Sequence, residues 1–368
     1  MKKTKIDVGV QLARLIGCFI VIGVHIKLAD NVSGNYDFAR LLISCILADG
    51  VAVFWMISGC FLFRTKSYSK LLVRTVKTIL VPLLILSAFL LLFADFLFNS
   101  VSITDSMPSL SKVFSTIKGM LTLRPTVSGS GHLWYCYAYI LLMLFFPVMK
   151  TFSDWLSENT KRQAVFLIIS FSMFLFNDIS KNASFNFSHH AINAVVPAAI
   201  LVIWGNIIYQ NKDILFSYKN KNINPFIYLT CFVFTNVIRA AIIFLTKSRS
   251  LLYWYTVFGV LSAVFLILFC LTSAKKIKQD SVVEKIILFL ADYTFMIYLL
   301  HIPLRNVLNR FSFNSIIFEF VSSFASGTVL SVVYTVIMTV MLFTFTLIIA
   351  MVLRGITGAS NKILIKQK

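Results

Sequence analysis

The chain has 368 residues, 58% of them hydrophobic and only 13% charged, with a mean hydropathy of +0.86. A soluble domain carries about 25% charged residues, so this composition excludes a soluble globular enzyme. The formal net charge of +20 does not indicate nucleic acid, because Lys and Arg gather in short clusters between long apolar stretches, and no DNA- or RNA-binding motif is present.

Met1 to Val10 is charged and runs directly into the first long apolar stretch. No small-residue cleavage site follows, so the reading is a first spanning helix and not a removed leader. A bilayer offers no water to backbone groups, so each long apolar stretch must be helical, and about 20 residues are needed to cross. Ten stretches qualify: 10–28, 40–63, 77–98, 132–150, 163–177, 191–210, 225–246, 251–273, 286–308 and 327–353. The expected fold is all-α, a polytopic membrane helix bundle of about ten transmembrane helices. It forms a single integral membrane domain over 1–368 with no appended soluble domain. The Ser- and Thr-rich connection 99–131 reads either as a solvated connector or as holding an interfacial helix near Leu110 to Leu123. Cys18, Cys45, Cys60, Cys136, Cys231 and Cys270 sit inside apolar stretches without C-x-x-C spacing, so they read as small hydrophobes and no metal site is expected.

Loop charge sets the expected orientation. With the N-terminus inside, 22 Lys and Arg fall on inner segments and 10 on outer segments or their helix edges. That bias puts both termini in the cytoplasm, which an even number of spans satisfies.

Ionisable residues within spans are costly and are therefore candidates for function. Arg14 and His25 share the first helix. Eleven residues at 100° each bring them to within about 20° of the same face, separated by roughly 16 Å along the axis. His132 opens the fourth helix and His301 lies near the outer end of the ninth, so His25, His132 and His301 fall at one outer level. Arg14, Arg74 and Lys77 lie toward the inner side. Neutral histidine is a competent general base near physiological pH, and clustered Arg and Lys suit the phosphates of a nucleotide-containing donor. Asp49, Asp95, Arg239 and Asp292 are also intramembrane, and the sequence assigns them no partners. An acidic neighbour for Arg239 would make a structural ion pair.

These residues resemble the membrane acyltransferase-3 superfamily. Its first helix reads D-x-x-R, then an apolar run and His; here Gln11-Leu-Ala-Arg14 leads through the same interval to His25. The second-helix F-F-x-x-S-G-[FY]-L is matched by Phe54-Trp-Met-Ile-Ser58-Gly59-Cys-Phe-Leu62. Arg74, Lys77 and Pro82 follow as in the family, then His132-Leu-Trp134-Tyr135 with Pro147, and Tyr298-Leu-Leu-His301 near the C-terminus. Gln11 stands where the family has an acid, and Ala52 where one branch has Asp.

The resemblance implies transfer of an acyl group, usually acetyl, from acyl-CoA on the cytoplasmic side to an acceptor hydroxyl, commonly of a cell-envelope glycan outside a bacterial plasma membrane. In that scheme Arg14, Arg74 and Lys77 hold the CoA phosphates. His25 is the general base, with an acyl-histidine intermediate as the alternative. His132, Trp134, Tyr298 and His301 line the acceptor side. Ser58 and Gly59 allow close helix packing. The expected partners are membrane lipid, a glycan acceptor and acyl-CoA, with no metal and no nucleic acid. The competing readings are a transporter or flippase for a sugar or lipid-linked intermediate, and a polysaccharide polymerase.

Overall fold

The computed structural model describes residues 7–26, 37–99, 107–180, 191–218, 221–247 and 249–366. Of the residues used above for loop charge, Lys2, Lys3, Lys5, Lys27, Lys181, Lys219 and Lys368 lie outside that set.

All ten expected spans are helical. Eight helices among the described residues are long and apolar enough to cross a membrane, or nine when a bent pair is counted as one span. The first helix, α1 (Val8–Val24), is shorter, at 17 residues. The second span is α2 (Phe38–Ala48) and α3 (Gly50–Leu62), joined at Asp49. The third begins earlier than its apolar run. It comprises α4 (Tyr68–Thr75), a π-helical turn over Val76–Leu80 and α5 (Val81–Asn99), continuous for 32 residues. Pro82 has no N–H and its ring crowds the carbonyl four residues back, and the widened π turn immediately before it accommodates both defects.

The amphipathic helix α6 (Leu110–Leu121) lies in the long connection, for which a helix was one of the two sequence readings. Its Leu110, Phe114, Ile117 and Leu121 are exposed at helical spacing. The fourth span differs from the straight rod that 132–150 suggests. A 3-10 turn at Gly131–Leu133 leads into α7 (Trp134–Leu144), and α8 (Phe146–Ser157) departs at 70°. Pro147 lies in the first turn of α8, where its missing N–H is harmless; it cannot extend α7.

The remaining spans are α9 (Thr160–Ile179), α10 (Ala191–Gln210), α12 (Pro225–Thr246), α13 (Val257–Ala274), α14 (Val282–Arg310) and α16 (Gly327–Lys366). Short pieces join them: α11 (Lys212–Leu215), α15 (Phe313–Ser322) and a two-residue ladder pairing Ser217 with Asn222 and Tyr218 with Lys221.

α1 is the central element, packed on α2, α3, α13, α14 and α16. The tightest crossing is α3 on α10. A Cβ at Gly59 would fall 1.8 Å from the Val202 carbonyl oxygen, and one at Gly205 1.9 Å from that of Met56. Only glycine permits this backbone approach, so Gly59 packs as expected. The neighbouring Ser58 hydroxyl donates to the Phe54 carbonyl at 2.9 Å. The six cysteines are free thiols, and all but Cys231 are buried.

The unassigned charges find partners. Arg239 and Asp49 form a fully buried ion pair at 2.7 Å. Asp95 binds Lys112 of α6 at 2.5 Å, and Asp292 of α14 pairs with Arg354 of α16.

Candidate functional site

α1 carries the site at its two ends. Asp7 caps its N-terminus, accepting from the backbone N–H groups of Gly9 and Val10. His25 is the C-cap residue, and its imidazole is exposed.

Around His25 three chain segments converge. The His25 and His301 rings have centroids 5.3 Å apart, and those of His301 and His132 are 4.9 Å apart. Tyr298 lies 5.5 Å from the His132 ring and 5.8 Å from that of His301. Its hydroxyl donates to the His132 carbonyl. The shared outer level expected of these three histidines is therefore a direct cluster. His301 is completely buried, His132 and Tyr298 nearly so.

Hydrogen bonds fix the ring orientations. His132 Nε2 lies 3.1 Å from the Leu299 carbonyl oxygen, and His301 Nδ1 lies 2.6 Å from that of Tyr298. The opposite nitrogens, His132 Nδ1 and His301 Nε2, are buried with no hydrogen-bond partner. Arg305, one turn after His301, donates to the His25 carbonyl at 2.8 Å and to the Asn306 side chain at 3.0 Å. It thereby ties the end of α1 to α14. Its position four residues from His301 was the sequence signal for it.

Eleven residues before His25, in the N-terminal half of α1, Arg14 is half-buried and makes no hydrogen bond to the described residues. Tyr139, Tyr135, Arg74 and Asp292 are the groups whose charges act on it. Arg14 and Arg74 are thus within electrostatic reach of each other, although they line no common groove. Gln11 cannot supply the carboxylate that the family pattern places there, and Asp292 from α14 brings one within electrostatic reach. Arg74 and Lys77 are both exposed and share a shallow groove of about 410 Å³ that Arg14 does not line.

Between Arg14 and His25 runs a column of rings of which the motifs included Tyr135 and Tyr298 but neither Tyr139 nor Trp55 as a site residue. Tyr139 and Tyr135 are one turn apart on α7, with centroids 6.4 Å apart, and Tyr135 is 5.8 Å from Tyr298. Trp55 packs against both. The i, i+4 spacing of the two tyrosines was the available signal. Trp134 meets Tyr135 of the column edge-on at 6.2 Å and lies nearly parallel to Trp254 at 6.0 Å. That contact occupies one of its ring faces.

Unpaired guanidinium at one level, imidazoles with open lone pairs at another and a polar-edged aromatic wall between them can bind an anionic donor and take a proton from a hydroxyl. Residues 7–354 match the model of the Acyl_transf_3 family, described as an acyltransferase domain. No curated protein and no solved structure matches the chain. The match spans nearly all of the sequence and includes both ends of α1, the bent fourth span and the histidine cluster, and so the chain belongs to the acyltransferase-3 superfamily of multi-pass membrane acyltransferases.

Proposed function

We propose that this acyltransferase is an O-acetyltransferase of a bacterial plasma membrane. It moves acetyl from cytoplasmic acetyl-CoA to a hydroxyl of an extracytoplasmic or lipid-linked glycan. The observation that carries this reading is the division of labour along α1, with Arg14 within electrostatic reach of Arg74 in its N-terminal half and His25 against His301 at its C-terminal end. Loop charge places the arginine end in the cytoplasm, where CoA is available.

Arg14 and Arg74 bind the phosphates of the donor, and Lys77 adds charge at the surface groove. The acyl-bearing arm extends along Tyr139 and Tyr135 toward the histidines. His25 removes the proton from the acceptor hydroxyl as its oxygen attacks the thioester carbonyl carbon. The carbon–sulfur bond breaks, and the proton passes to the departing thiolate, so CoA leaves as the thiol and the glycan as the ester. His132, Tyr298 and His301 border the acceptor, and the ring face of Trp134 that Trp254 leaves free is the surface for a sugar.

The test uses the full chain in the native envelope and NMR of the envelope polymers. With wild type, O-acetyl signals appear and acetyl-CoA is consumed. His25→Ala, inserted at equal level, loses them. Full acetylation in that variant would end the general-base assignment, and translocation without acetyl-CoA consumption would favour a transporter.

A further inference from the structure

The histidine cluster contains a feature that general-base catalysis by His25 does not use. A backbone carbonyl only accepts hydrogen bonds, so the nitrogen that faces one must carry the proton. His301 Nδ1 faces the Tyr298 carbonyl at 2.6 Å, which makes Nδ1 the protonated nitrogen and leaves a lone pair on Nε2. That lone pair belongs to a completely buried residue and has no partner. Leaving such a group unsatisfied is costly, so the position is built for a donor that arrives.

His132 repeats the arrangement. Its Nε2 faces the Leu299 carbonyl at 3.1 Å, which leaves the lone pair on a buried, unpartnered Nδ1. Leu299 can serve this purpose because residue 303, four positions on within α14, is proline and has no N–H to donate to it. Two imidazoles are thus held as acceptors by α14, and the ring of one, His301, lies 5.3 Å from that of His25.

We infer that His301 is the positioning residue of His25. Its Nε2 receives the ring N–H of His25 when the acceptor glycan is bound, and so holds the other nitrogen of His25 as the base. This rests on the function proposed above. It assigns His301 a task different from lining the acceptor site. A base oriented by a third group is a general requirement of such catalysis, and catalytic hydrogen bonds tighten only when substrate binds. No proton needs to reach His301: in the substrate complex His25 takes the hydroxyl proton on its other ring nitrogen, keeps its N–H on His301 Nε2, and returns the proton to the leaving sulfur.

The test is a comparison of His301→Leu, His301→Gln and His25→Ala in the full-length protein in nanodiscs, with steady-state kinetics for acetyl-CoA and for the acetylated envelope polymer after chemical de-esterification. Thermal unfolding confirms that each variant is folded. His301→Leu has no acceptor and is expected to lose about 100-fold or more in kcat with both KM values within about threefold. His301→Gln places an amide oxygen near the lost Nε2 and is expected to recover about tenfold of that loss. If His301→Leu keeps its kcat, or if its defect is confined to the KM for the polymer, or if Gln restores nothing, the inference is overturned. If His25→Ala is fully active, it is the general-base reading itself that fails.

Discussion

His132 Nε2 sits 3.1 Å from the carbonyl oxygen of Leu299, a backbone acceptor that Pro303 leaves free within α14. A proline inside a helix ordinarily costs about 3 kcal/mol. Here the orphaned carbonyl is reused to bind a histidine from a distant segment. Pro303→Ala supplies the missing N–H and closes the helix on Leu299. The substituted protein is expected to unfold at the same or a higher temperature. Its transferase rate should fall by about tenfold, the equivalent of one lost hydrogen bond to His132. Thermal melting and initial rates measured on one preparation check this. A variant with raised stability and undiminished activity would show that the Leu299 contact is not needed.

Arg14 is the one Lys or Arg within α1, and it cannot shed its charge. Its guanidinium is within electrostatic reach of Arg74 and makes no hydrogen bond to the described residues, which on the proposed function leaves it for the donor phosphates. Arg14→Lys replaces a bidentate fork by a point charge on a flexible stem. Its dissociation constant for CoA is expected to rise about tenfold, the equivalent of one charge-assisted hydrogen bond, whereas Lys77→Ala, at the exposed groove, changes it by less than about threefold. Calorimetric titration with CoA reads both. Equal effects at the two positions would place the phosphates in the surface groove.

Much of this site is legible in the sequence, and the reason is geometric. In a bundle of spanning helices, a residue's distance from its helix end gives its depth in the bilayer. Position along the chain alone therefore puts His25, His132 and His301 on one level. Depth does not give rotation about the helix axis, and partner choice depends on rotation. Asp49 and Arg239 are 190 positions apart and meet only because α2 and α12 turn those faces together. Asp292 likewise finds Arg354, and Trp134 is turned against Trp254. The bend between α7 and α8 was hidden for another reason: the apolar run continues unbroken through Leu144, Phe145 and Phe146, so only Pro147 hinted that the span divides.

The Arg239–Asp49 pair holds the connection between α12 and α13 to the bundle. The guanidinium donates to Asp49 at 2.7 Å, to the Leu251 carbonyl at 2.6 Å, to that of Tyr253 at 3.0 Å and to that of Cys45 at 3.2 Å. It thereby joins α12, the hinge between α2 and α3, and the turn before α13. Both side chains are completely buried, so removing one strands the other. Arg239→Leu is expected to destabilise the fold by about 3–5 kcal/mol, and Arg239→Lys by less, since lysine keeps the charge but cannot reach four acceptors. Detergent-phase thermal unfolding distinguishes the two. A wild-type melting temperature for Arg239→Leu would contradict the role.

At the N-terminal end of α1, outside the spanning segments, Asp7 accepts from the Tyr209 hydroxyl at 2.5 Å and from Lys212 at 3.2 Å, while its other oxygen caps the helix. Partial burial pushes its carboxyl up, but the Tyr209 hydrogen bond and the Lys212 charge outweigh burial and hold it below the ordinary carboxylate value. The unfolded chain therefore binds this proton more readily than the folded one. The stability that Asp7 contributes is present above about pH 4, the unfolded carboxylate value, and is lost as pH falls through the lower folded value. Asp7→Asn keeps a capping oxygen and removes only the charge. It is expected to melt below wild type at neutral pH and to converge on it in acid. Asp7→Ala also loses the cap, at a cost of about 1 kcal/mol that does not vanish in acid. Melting temperatures of the three proteins from pH 7 down to pH 3 measure the convergence. An Asn variant that parallels wild type across that range would remove Asp7 from the account of what fixes α1, and with it the anchoring of Arg14.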